Sequence, residues 1–127
     1  MNPLEKFKPN LVEKRWGSEL WVANDALHNY CGKILHIKEG GSTSMHYHEK
    51  KHETFYVLKG TLKVEYIDTD DGKEKTVLLE EGESMKIPKL TPHNLSGKTC
   101  HLSGNSEVKF IESSTYHMDS DSYRVYL

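Results

Sequence analysis

Only two cysteines are present, Cys31 and Cys100, far apart and outside any Cys-x-x-Cys, and two free thiols in a reducing compartment are a simpler reading than one disulfide. Long apolar runs are also missing: nothing approaches the roughly 18 residues a membrane span needs. The start, Met1-Asn-Pro-Leu-Glu-Lys-Phe-Lys8, has no apolar leader core, so a cytoplasmic protein is expected. Basic runs are absent and the charge is near balance, with 17 basic against 19 acidic residues, which argues against nucleic acid as a partner. There is no internal repeat, low-complexity tract or linker. A sustained helical period is lacking too; at most one helical turn is expected, around Asn10 to Lys14. A chain of 127 residues is enough for one domain with one core, spanning 1–127 with its barrel at about 30–112.

What is present is a series of short alternating runs between turn signals. Lys33–Lys38, Thr43–His48, Thr54–Leu58, Leu62–Ile67, Thr76–Leu79, Ser84–Ile87, His93–Leu95 and Glu107–Ile111 read as strands. Gly40-Gly41, Gly60, Asp71-Gly72 and Glu81-Gly82 read as turns, because glycine and aspartate tolerate the positive φ of tight hairpins. Many short strands at regular spacing predict an all-β sandwich or barrel of the jelly-roll type, with a ligand site at its mouth.

Chemistry concentrates in four residues. His46 and His48 are two apart, so on a strand both imidazoles share one face. Glu53 and His93 add a carboxylate and a third imidazole. This N/O set suits one divalent first-row metal ion per chain (iron, manganese, zinc or nickel) and leaves positions for water or substrate. Alternation places Ser44, Phe55 and Val57 inward with the ligands, and Met45, Tyr47 and Tyr56 outward. The remaining histidines read differently: His28, His36 and His117 as polar residues, His52 on the face opposite Glu53, His101 in or near a loop. Lys50-Lys51 reads as a solvated bend, Asp68–Glu74 as a hairpin tip, and Trp16 and Trp21 as core or dimer-packing residues.

The spacing resembles the cupin family, whose first motif is G-x5-H-x-H-x(3,4)-E-x6-G. Gly40, His46, His48, Glu53 and Gly60 fill every fixed position. Of the second motif, G-x5-P-x-G-x2-H-x3-N, Gly82, Pro88 and His93 match, while Leu90 replaces the glycine and Gly97 the asparagine. The resemblance implies a double-stranded β-helix (jelly-roll) barrel and a metal centre. It also implies a homodimer, for which Leu11-Val12 and Trp16–Val22 are available.

A second resemblance points to chemistry. Glu13-Lys-Arg-Trp-Gly-Ser-Glu-Leu-Trp21 and the tail Ile111-Glu-Ser-Ser-Thr115 through Arg124 are similar to segments of type II mannose-6-phosphate isomerase-like cupins. That implies an aldose–ketose isomerase of a sugar or sugar phosphate, with a metal-stabilised enediolate and a base that moves the proton. Strand parity offers Glu65, Tyr66, His101 and His36 as the base, and Lys33, Lys86 or Arg124 as the phosphate's partner. The same ligands suit a cupin dioxygenase with a three-histidine, one-glutamate iron site, or a sugar-binding domain that uses the metal only as a grip.

Overall fold

The structure is a computed structural model and describes residues 3–125. Eleven strands account for nearly all of its order: β1 Asn10–Lys14, β2 Gly17–Asp25, β3 Tyr30–Ile37, β4 His46–Tyr47, β5 Glu53–Lys59, β6 Leu62–Ile67, β7 Glu74–Leu79, β8 Ser84–Ile87, β9 His93–Gly97, β10 Val108–Ser114 and β11 Tyr123–Arg124. One 3-10 turn, Asp119–Asp121, precedes β11. A six-stranded sheet runs β1-β2-β3-β10-β5-β8 and a five-stranded sheet runs β11-β4-β9-β6-β7, with every neighbouring pair antiparallel. The chain is an all-β jelly roll. No helix among the described residues is long and apolar enough to cross a membrane.

Alternation decides what goes inside. In β3, Cys31, Lys33, Leu35 and Ile37 are buried while the residues between them are not. In β5, Phe55 and Val57 are buried at 1% exposure each and Tyr56 between them is 41% exposed. The inner faces meet in one core, built from Leu35, Ile37, Phe55, Val57, Val108 and Phe110 on one sheet and Leu62, Val64 and Leu95 on the other. Burying such side chains contributes roughly 1.5–3 kcal/mol each before entropy is counted. Trp16 packs against this core within the chain.

The N-terminal segment corrects one expectation. Asn10–Lys14 is strand β1, hairpinned onto β2 with Leu11 opposite Leu20 and Val12 opposite Glu19. Short polar segments have weak helix propensity, and an available sheet edge wins. Leu11-Val12 and Gly17–Trp21 pair within the chain's own sheet, while the side chain of Leu11 stays exposed.

The two departures in the second motif resolve differently. Leu90 keeps the backbone of the glycine it replaces, at φ 65, and its N–H donates to the His48 carbonyl at 2.7 Å. The turn survives with a side chain in the left-handed region. Gly97 lies against backbone: a Cβ there would overlap the carbonyl oxygen of Ser106. An asparagine does not fit this site, and the loop before β10 lies where its side chain would go.

Candidate metal centre

The five-stranded sheet supplies the histidines. His46 on β4 is the cross-strand partner of His93 on β9, so both face the same side. His48 follows two residues later, also inward and 5% exposed. One ring nitrogen from each of the three lies within 4.8 Å of the others. Glu53 reaches them from the start of β5 in the other sheet, with Oε2 at 3.3 Å from His93 Nε2 and 3.7 Å from His48 Nε2.

Each imidazole is oriented from behind. Nδ1 of His46 donates to the Ser44 carbonyl at 2.7 Å, Nδ1 of His48 to the Asp121 carbonyl at 2.8 Å, and Nδ1 of His93 to the Thr91 carbonyl at 2.8 Å. A carbonyl can only accept, so the proton of each neutral ring sits on Nδ1 and Nε2 carries a lone pair. Burial, then the neighbouring imidazoles, pushes His46 down to about 4. Burial also lowers His48. The His46 and His48 rings are thus neutral near pH 7.

The donor set passes a fit test for a cation. His93 Nε2 and Glu53 Oε2 are both buried without a hydrogen-bond partner. They are two acceptors facing each other across 3.3 Å. Leaving such groups unpaired costs about 1–3 kcal/mol each, more where one is charged. A divalent metal held by the three histidines and Glu53 would satisfy both, and the mixed imidazole–carboxylate set suits a first-row transition metal.

Behind Glu53 lies a charged network that polarity along the chain did not reveal. Lys51, expected in a solvated bend, is 3% exposed. Its Nζ pairs with Glu53 Oε1 at 3.1 Å and donates to Glu112 Oε2 at 3.1 Å and His117 Nδ1 at 2.9 Å. Of the two, only Lys50 stays in solvent; the bend turns Lys51 toward two buried carboxylates. Burial alone would lower the Lys51 ammonium; Glu53 and Glu112 outweigh it and raise it. Burial alone would raise Glu53, but the Lys51 charge holds it well below the usual carboxylate range. Glu112 goes the other way, raised by burial and by the charge of Glu53. Burial and the two lysines push His117 down to about 4, and its Nε2 donates to Asp119 Oδ1 at 2.9 Å.

A cavity of about 310 Å³ joins the two groups. Its floor is a cross-strand row of the six-stranded sheet, Lys33 beside Glu112 beside Phe55. Lys33 is 2% exposed, pairs with Glu19 Oε1 at 3.1 Å and lies 4.4 Å from the centre of the Trp21 ring. Trp21 is a partner of that cation. His117, Asp119 and Ser122 of the tail also line the cavity.

The residues offered as bases are elsewhere. Glu65 is on the outer side of β6, 42% exposed in its side chain and paired with Lys63. His36 is on the outer side of β3, 3.1 Å from Glu107. His101 is exposed in the loop before β10. Tyr66 shares a face with His93, its cross-strand partner, but lines a separate cleft with Val64, Asp68 and Met85. Of the phosphate candidates, Lys33 is in the cavity, Lys86 lines that other cleft and Arg124 is exposed on β11. Met45, expected outward, is 6% exposed, covered on the far side of β4; Ser44 lines the cavity rim. Cys31 is buried and Cys100 exposed, both free.

Known proteins agree with this architecture. Residues 33–103 match the family model described as a cupin domain. The chain is 33% identical over 73 residues to a 3-hydroxyanthranilate 3,4-dioxygenase of Scheffersomyces stipitis, covering 54% of this chain and 42% of that one. Among solved structures, the capsular polysaccharide assembling protein CapF of Staphylococcus aureus superposes with a TM-score of 0.78 at 17% identity, over 96% of this chain and 34% of the other. Oxalate decarboxylase of Lactobacillus farciminis, in a formate complex, gives 0.71 at 19%, over 92% and 33%. The chain spans well under half the length of each, and at these identities the structural matches speak for the fold. The family match spans more than half of the chain and takes in all four converging residues: the chain belongs to the cupin family.

Proposed function

We propose that the chain is a metal-dependent aldose–ketose isomerase acting on a sugar or sugar phosphate. His46, His48, His93 and Glu53, through Oε2, are the ligands in this reading; Glu53 Oε1 is taken by Lys51. When bound, the metal supplies Lewis-acid stabilisation of negative charge developing on substrate oxygens.

The observation that carries the reading is Glu112. It is a buried carboxyl outside the ligand set, one ammonium away from Glu53, on the floor of the same cavity. Isomerisation needs a group that takes a proton from one carbon and returns it to the next, and Glu112 replaces Glu65, Tyr66, His101 and His36 in that role. Lys51 bridges the two carboxylates, and burial with the charge of Glu53 raises Glu112 above the usual carboxylate range. Lys33, on the same floor, is the cation for a substrate phosphate or hydroxyl. Free thiols at Cys31 and Cys100 fit a reducing compartment such as the cytoplasm.

The test is proton exchange. Zinc- or manganese-loaded protein is incubated with hexose 6-phosphates in deuterated water. Wild type incorporates deuterium at the carbon beside the carbonyl; Glu112→Gln loses at least about 100-fold of that rate with its metal content unchanged. A dioxygenase is the second reading, favoured by the sequence match to the 3,4-dioxygenase. Oxygen consumption by the iron form without exchange establishes that reading instead. A ligand-dependent rise in Tm with neither reaction marks a binding domain.

A further inference from the structure

His46 and His93 are held by carbonyls two residues away on their own segments, Ser44 and Thr91. His48 is different. Its Nδ1–H is held by a carbonyl 73 positions away, that of Asp121. Asp121 is 3% exposed, at the end of the 3-10 turn of the tail.

The Asp121 side chain grips the same stretch of chain. Oδ1 accepts the backbone N–H groups of Glu49 at 3.0 Å and Lys50 at 3.1 Å. Oδ2 accepts those of Lys50 at 3.2 Å and Lys51 at 3.1 Å. Three successive amides of a bend point one way and form a concave anion seat, and here the occupant is a carboxylate of the same chain. Charge-assisted bonds of this kind are about twice as strong as neutral ones. The bend they shape joins His48 to Lys51 and Glu53.

We propose that Asp121 is a positioning residue of the metal centre. Its carboxylate, seated on the 49–51 amides, places its own carbonyl on His48 Nδ1, which makes His48 present Nε2 to the cavity. The tail thereby completes a site whose ligands all lie upstream of it. This rests on the reading of the histidine cluster as a metal site.

The test uses the full chain as wild type, Asp121→Ala and Asp121→Asn, the last keeping one acceptor oxygen. Imidazole ¹⁵N shifts of the metal-free proteins report the tautomers, and competition titration reports Zn²⁺ affinity. In wild type all three histidines carry the proton on Nδ1. In Asp121→Ala, His48 alone becomes a tautomer mixture, and Zn²⁺ binds about 10–100-fold more weakly. Asp121→Asn falls between the two, and it carries the test if the alanine variant does not fold. A folded variant with wild-type affinity and His48 still protonated on Nδ1 overturns the proposal. So does equal disturbance of all three histidines, which marks a general structural role. Failure of wild type to bind Zn²⁺ overturns the metal reading instead, while the tautomers still judge Asp121.

Discussion

Lys51→Met removes one charge from the centre of the buried network and keeps most of the apolar stem. Lys51, Glu53 and Glu112 have side chains only 3%, 3% and 4% exposed, so water cannot replace the ammonium. Two carboxylates lose their shared cation, and His117 Nδ1 loses its donor. Breaking a buried ion pair from one side costs about 3–5 kcal/mol. At about 2.1 cal/mol/K per residue, 127 residues give an unfolding entropy of about 0.27 kcal/mol/K, so Tm falls by about 11–19 °C. The pH dependence has a definite sign. In wild type the Glu53 pKa is lowered, so its contribution is present above the usual value of 4.5 and lost as pH falls through the folded value. In the variant, burial without the cation raises both carboxyls. Their folded pKa values then exceed the unfolded ones, and stability is lost as pH rises. Urea unfolding of metal-free protein therefore shows a larger deficit at pH 8 than at pH 5. A deficit below about 1 kcal/mol, against the 3–5 expected, or one equal at both pH values, refutes the reasoning.

Two further outcomes are expected. Leu90→Gly relieves a left-handed backbone costing about 1–2 kcal/mol, against about 0.5–1 kcal/mol for glycine's extra chain entropy, and Leu90 is 55% exposed with little packing to lose. The urea midpoint should rise by the equivalent of up to about 1.5 kcal/mol; a fall would show that the side chain holds the turn. The outer face of the six-stranded sheet carries Leu11, Leu20, Ile34, Ile111 and Tyr56 in one cross-strand row. Light scattering should find a homodimer at micromolar concentration, and Ile111→Lys should make it a monomer; a monomeric wild type refutes this use of the face.

How far the residues spoke for themselves depended on the range of the interaction. Alternation and turn chemistry are local, so the strands and the inward set of Glu53, Phe55 and Val57 were legible. The His-x-His pair shares a face on any strand. The helical turn expected at Asn10–Lys14 failed because pairing with β2 is a tertiary event. Parity identifies a face but not the end of a barrel, which is why Tyr66, on the face of His93, is in another cleft. Glu65 and His36 alternate with buried Val64, Leu35 and Ile37 and so face outward.

Lys51 and Asp121 mark the boundary most clearly. Both sit among polar neighbours, Glu49-Lys50 and Ser120-Ser122, with no apolar period to announce burial. Their burial follows from partners 61 and 70–73 positions away, which only the folded chain brings together. The sequence by itself determined the class of fold and the donor types of the centre, because alternation and turn chemistry are local and the spacing of His46, His48, Glu53 and His93 resembles the two cupin motifs. The tertiary structure alone decided which lysine is charged in the core, which carboxyl faces the cavity and what holds His48. Those depend on electrostatics between segments that are neighbours only in space.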